Sequence, residues 1–353
     1  MSGGVDSSVA AALLLEQGYD VMGVTMDLYP LSPQNSHISP SCFGRGALAD
    51  AKQVASRLKI PHYVLNLRKP FEKWVVDDFC EEYARGRTPN PCIRCNQSIK
   101  FGVLWDRAKK MGADYLATGH HARILYDEKG RRFILKKGKD PQKDQTYFLY
   151  TMTQEQLART LMPIGHFTKQ EVRKKARELD LSVHERKESQ EVCFISHDDY
   201  AHFLEKKMPE CFQPGPIVDR ENRILGNHEG ICRFTIGQRR GLRIAAAHPL
   251  YVLAIHPESN KIVVGENKDL YEKRAVVSRL NLIQHADFSR PVSVTAKIRY
   301  KHKEAAARLY HVDGINAVLE FDIPQRAVTP GQSAVFYNED HVFGGGIIVK
   351  AGA

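Results

Sequence analysis

Two sets of residues in this sequence have types and spacings suited to chemistry. The first is Ser2-Gly3-Gly4-Val5-Asp6-Ser7-Ser8. Gly3 and Gly4 can take backbone angles closed to other residues. Successive N–H groups can then point at one anion, and the helix expected over Val9 to Leu15 adds partial positive charge. Ser7 and Ser8 offer hydroxyl donors, and Asp6 is placed to help hold a magnesium ion on phosphates. The pattern is a phosphate cradle; the alternative is an ordinary turn capped by serine. No Gly-Lys-Ser/Thr follows, so this is not the loop of kinases and GTPases, and no further glycine sits where a dinucleotide fold needs it.

The second set is cysteine. The chain has seven, an odd number, irregularly spaced and without a secretory signal. That argues against a disulfide scaffold and for thiol or metal chemistry. Cys92 and Cys95 form a CxxC in Arg87-Thr88-Pro89-Asn90-Pro91-Cys92-Ile93-Arg94-Cys95-Asn96. Two prolines predict a loop there rather than regular helix, and Arg87, Arg94 and Lys100 favour the reactive thiolate. A lone CxxC reads as a redox pair, half a metal site, or coincidence, and no second CxxC completes a four-cysteine zinc site. Cys193, in Glu188-Ser189-Gln190-Glu191-Val192-Cys193-Phe194, is a third candidate or a buried structural thiol. Cys42, Cys80, Cys211 and Cys232 read as structural or incidental.

Elements that could position these groups follow from periodicity. Asp20–Tyr29, Tyr63–Leu67 and Tyr115–Thr118 read as strands, and Ala47–Leu58, Phe71–Tyr83 and Ile99–Met111 as helices. Such alternation predicts an α/β domain with a parallel sheet, ligands binding beyond the carboxyl ends of its strands. Arg123–Lys137 reads as a hairpin, and Glu155–Leu161, Lys169–Leu179 and Asp198–Lys207 as helices. From Gln213 the texture turns to short β-rich runs: Gly230–Gly241, Leu250–His256, Lys261–Val264, Val292–Tyr300, Ala305–Val312, Asn316–Phe321, Ser333–Tyr337 and Val342–Val349. The expected division is a catalytic domain over 1–208, a small mostly-β domain over 209–274 and a C-terminal β-barrel over 275–353.

The chain has 353 residues, 42% of them hydrophobic and 26% charged, ordinary for a globular protein. No apolar run is long enough to span a bilayer and no signal or transit peptide precedes the loop, so the expectation is a cytoplasmic protein with no membrane partner. The net charge of +10 suits a polyanion partner; a merely basic surface is the alternative.

The ordered motifs go further. SGGVDSS at 2–8, TPNPCIRCN at 88–96, ATGHHAR at 117–123, KDQTYFL at 143–149 and SQEVCFI at 189–195 are followed by FTIGQRRGL at 234–242, KIRY at 297–300, TPGQSAVFY at 329–337 and GGGII at 344–348. In these the chain resembles, nearly end to end, the tRNA-specific 2-thiouridylase family of ATP pyrophosphatases. The resemblance implies an adenine nucleotide alpha hydrolase-like sheet carrying the pyrophosphate loop. It implies transfer of AMP from ATP to the 2-oxygen of the wobble uridine of tRNA, then replacement of that oxygen by sulfur. By position, Ser2 to Ser8, Met26 and Gly119 match nucleotide-contacting residues. Cys193 matches the persulfide carrier and Cys95 the second catalytic cysteine, a nucleophile that frees the sulfur. Asn90, Pro91 and Cys92 match the segment touching the target base. His120, Lys143, Asp144, Gln145, Arg299, Tyr300 and Gln332 match tRNA contacts, and these types suit RNA: cations for phosphate, tyrosine for stacking, amides for base edges. A base in a stack must be flipped out to be reached. ATP and magnesium are the implied cofactors, and a cysteine desulfurase or relay protein the implied sulfur donor.

Two departures from the family stand out. Many members carry Asp at the position of Cys92. Here Cys92, Cys95 and Cys193 offer three thiolates, enough to ligate a 4Fe–4S cluster with one open iron; the alternative is a spare thiol beside the usual persulfide pair. Further, a parallel sheet normally supplies a hydrophobic strand before such a loop, and here only Met1 stands before Ser2. The expectation is a chain that begins late, so that a longer form is more stable and binds ATP better. Rival functions are another ATP-driven ligase of the same loop class, which needs no paired cysteines, and an RNA-binding iron–sulfur module without catalysis.

Overall fold

The structure is a computed structural model that describes residues 1–28, 45–186, 192–195, 199–285, 288–313 and 315–352. Tyr29, Cys42, residues 189–191 of the SQEVCFI motif and Asp198 lie outside the described residues. The chain divides into two compact units: Met1–Val75, Cys92–Asp199 and Asp340–Val342 in one, and Val76–Pro91, Tyr200–Glu339 and Phe343–Ala353 in the other.

The first unit has the α/β character read from the sequence. Its first helix, Val5–Glu16, is apolar on nearly every side and is buried accordingly. Val5, Val9, Ala10 and Leu13 pack with Val54, Ile164, Val172 and Ala176, and Ala11 packs with Ala55 and Ile60. Full burial of a Val or Leu side chain contributes about 1.5–3 kcal/mol. Strand β1 (Gly23–Asp27) runs parallel to β2 (His62–Asn66), and β3 (Leu116–Ala117) precedes a hairpin of β4 (Ala122–Asp127) and β5 (Arg132–Lys137). β3 pairs in parallel with β6 (Thr160–Leu161). Among the described residues of this unit the parallel pairing is thus two separate pairs rather than one sheet. Alongside β1, the Met1 amine donates to Val24 O, and its carbonyl accepts from Thr25 Oγ1 at 2.8 Å.

Two elements differ from their sequence reading. Residues 160–161 are strand, not the tail of a helix over 155–161. The helix Gln154–Ala158 starts on a Thr153 capping box, and the chain then turns to pair with β3, Leu116 N donating to Arg159 O at 2.8 Å. The CxxC is not a loop. Pro91 opens a helical turn, Pro91–Arg94, that continues as the π-helix Cys95–Leu104 and the α-helix Trp105–Lys110. At the first helical position proline loses no hydrogen bond and its fixed φ suits the helix.

The second unit is β-rich. A four-stranded sheet runs β8 (Ile224–His228), β7 (Gly215–Val218), β10 (Lys261–Gly265), β9 (Tyr251–His256) over buried Ile217, Val218, Val252, Ile262 and Val264. Residues 230–241 are not a strand. They begin as the 3-10 helix Ile231–Arg233, preceded by Gly230 at φ 134°, where an added side-chain carbon would lie 2.7 Å from Phe212 Cα. Six strands then close a barrel: β11 (Tyr271–Leu282), β12 (Val292–Lys297), β13 (Ala305–Asp313), β14 (Asn316–Arg326), β15 (Ser333–Asn338) and β16 (His341–Ala351). Their order is β11-β14-β13-β12-β15-β16, with β16 returning to β11. Leu309, Leu319, Phe321, Phe336 and Ile348 fill its core. β11 runs across residue 275, where the sequence texture suggested a boundary.

Candidate functional site

The loop at residues 2–8 turns on two glycines with different roles. Gly3 has φ +68°, and a side-chain carbon there would lie 2.2 Å from Ala47 O, so only glycine fits. Gly4 is extended and caps the first helix without a side-chain hydrogen bond, as an anion-binding helix start requires. Ser7 Oγ accepts from Ser2 N at 3.1 Å. Ser8 is fully buried and its hydroxyl donates to Gly4 O at 2.9 Å, so Ser7 is the hydroxyl nearer the surface. Arg186 Nη1 donates to Gly3 O at 2.8 Å and also pairs with Asp50.

Gly119 is pressed against the start of the same helix. A side-chain carbon on it would lie 2.6 Å from both Asp6 C and Ser7 N. The next residues close the site from that side. His121 is 2% exposed, its Nε2 is 3.5 Å from Asp6 Oδ1, and neither ring nitrogen completes a hydrogen bond. Lys169, also buried, places Nζ 2.7 Å from both Asp6 carboxylate oxygens. Burial pushes the Asp6 carboxyl up; His121 and Lys169 outweigh it and hold the group below its ordinary value. Lys169 opens the helix Lys169–Glu178, whose Thr168 and Glu171 cap one another, and its backbone N–H donates to Asp140 Oδ2 at 3.0 Å.

His120 is buried. Burial first, then Lys100 and His121, push its pKa well below the ordinary value. Lys100 Nζ stands 3.5 Å from Nε2 and Thr118 Oγ1 2.9 Å from Nδ1. An ammonium can only donate, so Nε2 accepts and Nδ1 carries the proton. The 143–145 segment braces these histidines. Gln145 N donates to His121 O at 3.1 Å and His121 N to Gln145 Oε1 at 2.9 Å. Asp144 is buried and turns inward, accepting from Gly138 N and, at 2.7 Å, from Thr146 Oγ1. Lys143 and Met26 are half-buried, Met26 on β1 opposite Leu65.

The three candidate thiols all fall in the first unit. Cys95 is buried at the start of the π-helix, where Asn96 Nδ2 beside it donates to Phe148 O at 2.9 Å. Cys92 is exposed one helical turn earlier, and Cys193 is half-buried in a turn between buried Phe194 and the preceding Val192. Among the described residues no three Cys, His, Asp or Glu side chains gather as a metal ion would need. Nothing among the described residues supports a cluster shared by Cys92, Cys95 and Cys193, and no step below runs through one.

In the second unit, the segment leading to the CxxC is clipped to the barrel. Thr88 N donates to Pro330 O at 2.9 Å and Gln332 Nε2 to Thr88 O at 2.8 Å. Gly331, at φ +91°, has Thr88 N 2.7 Å from where a side-chain carbon would be. Asn90 is half-buried and Pro91 buried. Arg299 and Tyr300 are half-buried in the turn after β12, followed by exposed Lys301 and Lys303.

Sequence reasoning missed Lys169, His121 and Arg186. Lys169 lies 163 positions from Asp6, so no spacing could join them. His121 stands next to a residue already singled out, and only its burial against Asp6 separates it from an ordinary core histidine.

With this geometry in view, comparison with known proteins places the chain. Residues 1–197 match the family model described as tRNA methyl transferase HUP domain, 201–266 the tRNA methyl transferase PRC-barrel domain, and 272–348 the aminomethyltransferase beta-barrel domain. The chain is 50% identical over 349 residues to the tRNA-specific 2-thiouridylase MnmA of Acetivibrio thermocellus, covering 99% of this chain and 97% of that one. It is 50% identical to the protein of the same name from Heliobacterium modesticaldum, covering 99% and 91%, and 49% identical to that of Moorella thermoacetica, covering 99% and 98%. The NMN synthetase of Francisella tularensis superposes with a TM-score of 0.32 at 16% identity, over 54% of this chain and 64% of that one, too little to bear on the fold. No helix among the described residues is long and apolar enough to cross a membrane. From its N-terminal α/β unit through its closing barrel, this chain belongs to the tRNA-specific 2-thiouridylase family.

Proposed function

We propose that this protein uses ATP to replace the 2-oxygen of the wobble uridine of tRNA with sulfur. The observation that carries this reading is the match, over 99% of the chain, to relatives named for that reaction. The methyl-transfer wording belongs to the family models; a pyrophosphate-type loop together with thiols suits ATP-driven sulfur transfer.

The chemistry follows from weak leaving groups. The uracil 2-oxygen attacks the α-phosphorus of ATP and pyrophosphate departs toward the helix start at Gly4, whose backbone N–H groups and dipole stabilise it. Magnesium would bring positive charge to the phosphates, with Asp6 the carboxylate able to hold it. Gly119 keeps the loop from shifting, because its backbone leaves no gap beside Asp6 and Ser7. The O-adenylated C2 is now electrophilic. The outer sulfur of a persulfide on Cys193 attacks it, and AMP leaves with the former 2-oxygen. Cys95 thiolate then attacks Cys193 Sγ, the outer S–S bond breaks, and the electron pair stays on the sulfur now double-bonded to C2. A Cys95–Cys193 disulfide results, and an external thiol must reduce it before the next round. Cys95 as nucleophile and Cys193 as carrier, a cysteine desulfurase or relay protein as sulfur donor, and a cytoplasmic setting are all part of this proposal. So are the tRNA contacts of Asn90, Pro91, Cys92, His120, Lys143, Asp144, Gln145, Arg299, Tyr300 and Gln332.

The test is direct. The protein is incubated with ATP, magnesium, unmodified tRNA, a cysteine desulfurase with cysteine to load the persulfide, and a thiol to reduce the resulting disulfide, and 2-thiouridine is sought by retarded migration in a mercury gel. Thiolated product that depends on ATP supports the reading; none from folded protein refutes it.

A further inference from the structure

Lys169 and His121 have no part in the mechanism so far, yet both converge on Asp6. Lys169 is 7% exposed and His121 2%. An ammonium is costly to bury unless it is paired, and here one carboxylate satisfies it through both oxygens at 2.7 Å. Its position works against a purely structural role. Lys169 opens a ten-residue helix, the end at which the helix dipole disfavours a cation. That helix start is already satisfied by the Thr168–Glu171 capping box and by Asp140 on the Lys169 N–H. His121 is the second, independent sign. Its Nδ1 is buried without a hydrogen bond and its Nε2 has only the Asp6 carboxylate, 3.5 Å away, beside the start of the twelve-residue first helix. A fold carries such a cost where a ligand supplies the missing partner.

We propose that Lys169, with His121 beside it, is the cationic wall of the pyrophosphate site, and that Asp6 holds it as a latch until a divalent cation takes the carboxylate. This deepens the reading of the loop as an ATP-cleaving site and rests on it. With Asp6 bound to Lys169 the pair is neutral and offers little to a polyanion. When a metal ion occupies Asp6, the ammonium is released to a phosphate oxygen and the imidazole gains an acceptor. One ion pair is exchanged for others, so the switch needs no large change in buried charge. The leaving pyrophosphate would then meet the helix start on one side and Lys169 on the other.

Inorganic pyrophosphate and AMP are titrated separately by calorimetry into the full chain, with and without magnesium. In magnesium, Lys169→Met should weaken pyrophosphate binding at least tenfold and His121→Gln at least threefold, with AMP binding within twofold of wild type. Asp6→Asn, which opens the latch, should tighten metal-free pyrophosphate binding at least fivefold, a gain that a merely structural ion pair would not produce. Unchanged pyrophosphate affinity in Lys169→Met, or a loss without metal in Asp6→Asn, overturns the proposal. Should Lys169→Met not fold, the Asp6→Asn arm decides alone. A wild-type protein that binds no pyrophosphate even with magnesium overturns the ATP-cleaving reading itself, whereas normal wild-type binding with an indifferent Lys169→Met overturns only the latch.

Discussion

Gly119 has no room for a side chain because its backbone lies against the peptide joining Asp6 to Ser7, with both Asp6 C and Ser7 N 2.6 Å from the place a side-chain carbon would take. Neither neighbour is the end of a flexible side chain. Both belong to the first turn of a helix whose face is packed with Val54, Ile164 and Val172.

Gly119→Ala should therefore push the pyrophosphate loop out of place. Overpacking of this kind costs about 1–3 kcal/mol of stability, and a displacement near 1 Å at a reacting centre costs about a hundredfold in rate. The expected result is a modest fall in the unfolding midpoint with tRNA-dependent pyrophosphate release down by about that hundredfold. Near-normal release from the alanine variant would mean that the loop tolerates movement.

His120 gives the stability a pH dependence of known sign. Burial, then Lys100 and His121, hold its folded pKa well below 6.5. Between that folded value and 6.5 the unfolded chain takes up a proton that the folded one refuses. Stability is then fully present above about pH 6.5 and falls as pH drops below it, by at most about 1.4 kcal/mol per pH unit for one proton. His62, His166, His228 and His302 are pushed down by burial as well, so the wild-type slope sums several groups. His120→Asn removes one of them. Denaturant unfolding at stepped pH should show a shallower loss on the acid side for the variant; parallel curves would mean that His120 is protonated in the fold.

Gln332 joins the barrel loop to Thr88, two residues before Asn90. Gln332→Leu keeps the side chain's bulk and removes the donor, leaving Thr88 O without it at a cost of about 1 kcal/mol. If the 88–90 segment helps seat the target base, KM for tRNA should rise by about fivefold, the factor that such an energy commands, while KM for ATP stays put. An equal rise in both constants would assign Gln332 a general structural role instead.

The legibility of this chain varied with the range of the interactions involved. The apolar run Val9 to Leu15 announced a buried helix because burial on every side leaves no polar positions, and the glycines at 3 and 4 announced the turn before it. The barrel strands from Val292 onward were readable because their alternation survives on a closed sheet. β11 was not: Tyr271-Glu272-Lys273-Arg274 begins it on the exposed side, and only pairing with β14 and β16 makes it a strand. Pro91 misled because proline breaks a helix in its interior but starts one at its first position. At the site, local motifs marked Asp6, Gly119 and His120, whereas Lys169 and Arg186 reach the loop from more than 160 residues away and leave no local pattern.

The thiols separate two chemistries with one series of variants. Cys95 is buried and Cys92 exposed three residues away, and no described group of three ligands gathers around them. Under the persulfide route, Cys95→Ser and Cys193→Ser should each lower thiolation by at least a thousandfold. Adenylation needs neither thiol, so tRNA-dependent pyrophosphate release should continue in both. Cys92→Ala should still make 2-thiouridine, any loss appearing in KM for tRNA because the residue lies in the segment matched to the target base. A cluster ligand would behave differently: removing it would abolish turnover and bound iron together. Anaerobically purified protein assayed for iron, sulfide and thiolation across the three variants distinguishes these outcomes. Iron that is lost along with activity in Cys92→Ala would replace the persulfide pair with a cluster-bound sulfur.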